Sequence, residues 1–132
     1  MSANTYLMDT NAIIRHFCGL PNLGKKATAV IKDAEAGSGD VLIISIVSLM
    51  EIMYLAEKNR IKISLKEAIK SIEAKSCYLV VALDTEMLKT AEKITFYELH
   101  DRLILGTAKY YGATILSSDK LFAKVKDIKV VW

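Results

Sequence analysis

Cysteine is nearly absent: Cys18 and Cys77, 59 positions apart, are the only two in the chain. That excludes a disulfide-stapled secreted scaffold. Histidine is as scarce, and His16 and His100 form no His-x-x-x-His pair and meet no Cys-x-x-Cys pair, so nothing nucleates a zinc site. Long apolar runs are also lacking. The most apolar stretch, 41–56, holds 16 residues and is interrupted by Ser45, Ser48 and Glu51, short of the roughly 20 clean residues a membrane span needs. Met1 to Thr5 carry neither the basic nor the apolar segment of a secretory leader. A cytoplasmic protein with reduced thiols and no membrane contact is expected. The single proline, Pro21, sits in a Gly-Leu-Pro-Asn break, and no internal repeat or low-complexity tract is present.

What remains is a chain of 132 residues that is 52% apolar and 25% charged, with mean hydropathy +0.27. Intrinsic disorder is excluded by that apolar content, and the length predicts one globular domain over 1–132. The net charge of +3 is too mild to establish nucleic-acid binding by itself. Its distribution says more. Residues 58–75 carry a local +4 and residues 120–129 a local +3. Each run also reads as a solvated face or tail.

The apolar pattern alternates between short runs and helical spacing. Strands are predicted at 4–8, 41–44, 78–81, 114–116 and 128–131. Helices are predicted after Asn11, which serves as cap, at 23–36, from between Ser45 and Ser48 to Asn59, and from Ser64 to Lys75. A further helix after Asp84 carries Met87, Leu88, Ala91 and Ile94, and another spans Leu99 to Tyr111 with Gly112 as its C-terminal cap. A short helical turn is predicted at 120–123. Met50, Met53 and Tyr54 read as core, and Phe96, Tyr97 and Tyr111 as a possible face between two copies. Strands alternating with amphipathic helices predict an α/β fold: three α/β/α layers around a mostly parallel five-stranded sheet.

Ligands of such sheets gather at the C-terminal ends of the strands. Asp9 directly follows the first strand, Asp119 lies three residues past Leu116, Asp101 begins the helix leading into the fourth strand, and Glu51 lies in the first turns of the helix after the second. All four are expected at one sheet edge, in apolar company. Like charges gathered there would repel and resist ionisation unless a cation joined them. Oxygen donors alone point to a hard ion, Mg²⁺ or Mn²⁺. Without those four acids, 18 basic residues face 11 acidic ones, a surface suited to a polyanion whose phosphate meets the metal. Taken singly, each acid has a plainer reading: Ser48-Leu49-Met50-Glu51 matches a capping box, and the three aspartates suit loops or caps.

The segments Tyr6-Leu7-Met8-Asp9-Thr10-Asn11, Ser45 to Ile52 with its embedded Glu51, His100 to Ala108 with Asp101, and Ile115-Leu116-Ser117-Ser118-Asp119 resemble the PIN domain nucleases, and among them the VapC-type toxins of prokaryotic toxin–antitoxin pairs. The resemblance spans essentially the whole chain, with the acids in the order Asp, Glu, Asp, Asp at spacings of 42, 50 and 18. It implies a Mg²⁺- or Mn²⁺-dependent endoribonuclease with Asp9, Glu51, Asp101 and Asp119 as catalytic and metal-holding residues and Asn11 and Ser117 in support. It also implies a homodimer and a small antitoxin that threads a segment across the site. Arg102 stands where the family commonly has a small residue, and Arg102 and Lys120 are open as phosphate contacts or outward surface charge. Asp84 reads as a helix cap, and His16 and His100 as structural or surface residues.

Rival classes fit less well. A haloacid-dehalogenase-like phosphatase would need a second acid where Asn11 stands, and a receiver domain would need paired acids near the first strand. An RNA-processing PIN nuclease without an antitoxin, and a non-catalytic RNA- or protein-binding module of the same fold, remain the alternatives.

Overall fold

The computed structural model describes residues 3–96 and 98–132, so Tyr97 lies outside the described residues. Five strands form one sheet: β1 (Thr5–Met8), β2 (Val41–Ser45), β3 (Tyr78–Val81), β4 (Thr114–Leu116) and β5 (Val130–Val131). Their order is β3-β2-β1-β4-β5, and every pairing is parallel. The helices are α1 (Thr10–Phe17), α2 (Lys25–Glu35), α3 (Ile46–Glu57), α4 (Leu65–Glu73), α5 (Thr85–Glu92) and α6 (Leu99–Tyr111), with a 3₁₀ turn at Phe122–Lys124.

The central strands bury both faces, and the two-residue period sorts their side chains cleanly. Met8, Leu42, Ile44 and Leu116 join one core, packed by Ile13 of α1, Ile31 of α2, Leu49 and Ile52 of α3 and Ile72 of α4. Leu7, Ile43 and Ile115 point the other way, into a core closed by Ile104, Leu105 and Ala108 of α6 together with Phe122. Three layers result, as the alternating pattern predicts. From β1 the chain winds outward through β2 to β3, then returns to the other side of β1 for β4 and β5. Strand order therefore reverses between β1 and β4, and outside their C-terminal ends a crevice must open because successive connections leave in opposite directions.

Several boundaries differ from the sequence reading for local reasons. Asn11 is not the cap of α1; Asp9 is, its side chain accepting the Ala12 N–H at 2.8 Å. Strand pairing runs to the last possible residue, with Asp9 N–H donating to Leu116 O, so the helix starts at once. Ser45 caps α3 in the same way. α2 and α3 are shorter than 23–36 and Asn59, β5 is shorter than 128–131, the late turn falls at 122–124, and Ile94 lies past the end of α5. Met50, Met53 and Tyr54 are not core: they are 41–54% exposed along α3. Asp84 and Ser64 cap their helices as expected, Ser64 within a reciprocal capping box with Glu67.

Gly112 takes the left-handed conformation (φ 63°) that ends α6. Gly106, inside α6, answers a different need. A Cβ there would stand 2.6 Å from the Ala91 Cβ and 2.9 Å from its Cα, so α5 and α6 approach too closely for any side chain. Gly106→Ala gains about 1 kcal/mol of helix propensity but forces apart two packed backbones at a cost of about 1–3 kcal/mol. A lower urea midpoint at unchanged m-value is expected; a higher midpoint would show that the helix pair yields freely.

Candidate active site

At the crevice between β1 and β4 lies a cleft of about 300 Å³ lined by Asp9, Thr10, Asn11, Glu51, Asp101, Ser118 and Asp119, with Ile14, Leu55, Ile104 and Phe122 as its apolar walls. Residues 110 positions apart in sequence meet here because the sheet places their elements side by side. Asp9 leaves β1 with its backbone still in the ladder. Ser117, buried, leaves β4 with its N–H on Val131 O. The Ser117 hydroxyl bonds the Asp9 carboxylate and accepts the Asp119 N–H at 3.0 Å, so one hydroxyl spaces the two acids. Asp119 Oδ1 then accepts the Leu121 N–H at 2.8 Å, which fixes its turn.

Glu51 comes from the second turn of α3, and the matching sequence pattern is not used as a capping box. Its Oε1 accepts the Thr10 hydroxyl at 2.7 Å, and Thr10 Oγ1 also lies 2.9 Å from the Ser48 hydroxyl. Thr10 has one proton, and the carboxylate is the stronger acceptor, so Ser48 serves as donor to Thr10. Thr10 and Ser48 are functional-site residues that pattern reading missed. The available signal was their position: Thr10 adjoins Asp9, and Ser48 stands one turn before Glu51 on the same face of α3.

Asp101 is the third residue of α6, in its first turn, as the expected span of Leu99 to Tyr111 places it. Glu98 caps that helix and accepts the Asp101 N–H at 2.7 Å. Burial pushes the Asp101 carboxyl up to about 6, and the charges of Glu98, Asp119, Glu51 and Asp9 add to the push. Burial likewise raises Asp9; the bonds from Ser117 and the Ala12 N–H pull it back, while Asp119 and Glu51 push it further. Asp9 and Asp101 thus both feel the neighbouring acids of the cleft.

Arg102 does not line this cleft. Its Nε and Nη2 donate to Ala91 O at 2.9 Å and Glu92 O at 2.6 Å, at the end of α5. Lys120 is exposed and is not among the lining residues. His16 lies seven residues along α1 from Asp9 and pairs with Glu35 at 3.1 Å, and Glu35 also accepts the Tyr78 hydroxyl at 2.5 Å. This is a structural tie among α1, α2 and β3. His100 pairs with Glu98 in an exposed position.

The cleft offers carboxylates, hydroxyls and an amide, and no nitrogen or sulfur donor of the kind zinc prefers. Mutually destabilised carboxylates are the chemistry that a hard divalent cation satisfies. Among the described residues no group of three or more His, Cys, Asp or Glu side chains stands close enough together to hold a metal ion. The two observations agree for a cation such as Mg²⁺, which keeps several waters and takes only one or two protein carboxylates directly.

A parallel sheet whose strand order reverses beside an acid-lined crevice places the chain among α/β proteins with their candidate site at the strands' C-terminal edge. The sequence matches the PIN domain family over residues 6–128, nearly its full length, and the chain belongs to that family. No protein of curated function matches it. In fold it is similar to VapBC2 of Rickettsia felis bound to a promoter DNA fragment (TM-score 0.72, 14% identity, covering 96% of this chain and 97% of the other). It is also similar to DNA-bound VapBC of Salmonella typhimurium (0.70, 20%, 97% and 97%). A third is VapC20 of Mycobacterium tuberculosis, a toxin that cleaves the sarcin-ricin loop (0.58, 16%, 94% and 98%).

The raised Asp101 carboxyl makes a stability prediction. Its proton is held more tightly in the folded than in the unfolded chain, so this group's contribution is full below about pH 4 and is lost as pH rises through about 6. In EDTA at neutral pH, Asp101→Asn is therefore expected to melt above the wild type, with the gap closing as the pH is lowered to about 4. A gap that stays constant with pH would exclude electrostatic strain as its cause.

Proposed function

We propose that the chain is a single-domain, divalent-metal-dependent endoribonuclease and the toxin of a type II toxin–antitoxin pair, acting in the cytoplasm. The convergence of Asp9, Glu51, Asp101 and Asp119 on one cleft at the strand-order reversal carries this reading. Membership of the PIN family and a fold shared with toxins of VapBC assemblies support it. Asp9, Glu51, Asp101 and Asp119 would hold Mg²⁺ or Mn²⁺. When bound, the cation supplies positive charge to the scissile phosphate and acidifies water.

The chain's own groups do the positioning. Thr10 fixes one oxygen of Glu51, leaving the other for the cleft. Ser117 holds Asp9 and the Asp119 turn at a set spacing, and Asp9 is further anchored through the Ala12 N–H, so neither aspartate is free to swing to solvent. Asn11, exposed at the rim, supplies an amide donor to a phosphodiester oxygen. Ile14, Leu55, Ile104 and Phe122 limit the water around the carboxylates, which strengthens their pull on any cation.

Two surfaces suit the expected partners. An apolar groove of about 500 Å³ between α1 and the start of α4, lined by Ile14, Phe17, Leu20, Ile61 and Ile63, shares Ile14 with the acidic cleft. A segment of a small antitoxin lying there would reach the carboxylates. Met50, Met53 and Tyr54 on α3 suit a second copy of the chain, giving a homodimer. Among the described residues no helix is long and apolar enough to cross a membrane.

Expression of the wild type alone in bacteria is expected to arrest growth and degrade RNA, while Asp9→Asn does neither. With purified protein, EDTA and Asp101→Asn each abolish cleavage while the far-UV circular dichroism stays native. Cleavage that survives EDTA would reject the metal-dependent reading. Sedimentation is expected to give twice the 14.7 kDa chain mass; a strict monomer would remove the homodimer.

A further inference from the structure

The two basic runs of the sequence have different fates in the fold. On α4, Lys66 and Lys70 alternate with Glu67 and Glu73, a solvated face with charges of both signs. The late run instead joins cations from other elements. Lys124 and Lys126 line a groove of about 750 Å³ with Lys93 at the end of α5 and Arg102 and Lys109 from α6, and Asp127 is the one carboxylate among its lining residues. Cations from three separate stretches converge on one concave surface, which a solvated helix face does not produce.

One of these cations is held rigidly. Arg102 spends two of its N–H groups on Ala91 O and Glu92 O, terminal carbonyls of α5, so its guanidinium is fixed before any ligand arrives. The groove is also apolar in part. Phe96 lines it and packs edge-on against Phe122, ring centroids 5.6 Å apart, and Phe122 is itself a wall of the acidic cleft. Groove and cleft adjoin at two places: Asp101 lines the cleft and Arg102 the groove, Phe122 the cleft and Leu121 the groove. Consecutive Cα atoms are about 3.8 Å apart, so the two concavities flank the same two stretches of backbone, at 101–102 and 121–122.

We propose that this groove is the binding track for single-stranded RNA, in which Lys93, Arg102, Lys109, Lys124 and Lys126 neutralise the phosphates next to the one that enters the acidic cleft. The inference rests on the nuclease reading for its direction and adds where the substrate lies. It also explains why Arg102 is absent from the cleft: its charge acts on a flanking phosphate, not on the reacting one. A cleft of about 300 Å³ matches the small end of small-molecule pockets, room for one nucleotide at a time, which favours a single strand.

The test is anisotropy of a short fluorescein-labelled single-stranded RNA in EDTA, where binding is read without cleavage, as a function of KCl. Lys109→Gln/Lys124→Gln/Lys126→Gln is expected to weaken binding at least about tenfold at low salt and to reduce the slope of log K against log salt by about 2, near 0.7 for each lost single-strand phosphate contact. Lys62→Gln/Lys66→Gln/Lys70→Gln makes the same change in net charge elsewhere and should leave the slope in place. Lys124→Gln/Lys126→Gln, expected to lose about two thirds of the slope change, guards against a folding defect in the triple variant, and melting temperatures confirm the fold of each. Equal losses in the two triple variants would reduce the groove to net charge, and unchanged binding, or a loss seen with duplex DNA but not RNA, would overturn it. If the groove variant loses RNA while the wild type cleaves none with Mg²⁺, the track stands and the nuclease reading falls. If the wild type cleaves and the groove variant binds as tightly as it does, the track alone falls.

Discussion

The rest of the site depends on one electrostatic constraint: two carboxyls, of Asp9 and Asp101, are held where burial and neighbouring acids oppose their ionisation. Asp9 and Asp101 both bind their protons more tightly than free carboxyls do, and in both cases burial comes first and neighbouring acids add to it. A fold selected only for stability would not gather them. The cost is carried by the frame. Both cores pack the β1 and β4 strands from opposite sides, and the Ser117 and Thr10 hydroxyls each satisfy a carboxylate oxygen that burial would otherwise strand. These hydroxyls are as much part of the site as the acids, because without them the carboxylates could turn outward to water.

Topology turns that constraint into a location. In a parallel sheet every strand delivers its following residue to the same edge, but only where strand order reverses do the connections part and leave room. Here that place lies between β1 and β4. Asp9 and Ser117 occupy it as the residues directly after those strands, while α3 and α6 bring in Glu51 and Asp101. Beyond α6 lies a groove of the opposite charge, lined by Arg102 and Lys109 of that helix.

Much of this was legible from residue order because the governing signals were local. Short continuous apolar runs bounded by turn residues, Gly112 after an amphipathic run, and Ser64 and Asp84 ahead of helical spacing each mean the same thing in a peptide and in the folded chain. The four acids were legible as one set because all follow strands or open helices. What could not be read depended on neighbours distant in sequence. Ser48-x-x-Glu51 and Ser64-x-x-Glu67 match one pattern, yet only the second is a capping box. The first lies inside a helix already capped by Ser45, and Thr10 from the neighbouring α1 claims Glu51. Asp9, Thr10 and Asn11 are all good caps by type. The β1–β4 pairing, which extends through the Asp9 N–H, decides among them.

Met50, Met53 and Tyr54 show the same limit from the apolar side. Their helical spacing marks a stripe, and a stripe must be covered, but the spacing does not say by what. Within this chain α3 already buries Val47, Leu49 and Ile52, one of them toward one sheet face and two toward the other, so a third apolar surface has no layer left to meet. The helix lies between the two cores at the sheet edge that carries the acids. Its remaining stripe therefore faces outward beside Glu51, where whatever covers it also narrows the approach to the cleft. Tyr54 and His100 line one concavity with Glu51, so a second copy seated there, as proposed, would share a wall with the acidic cleft.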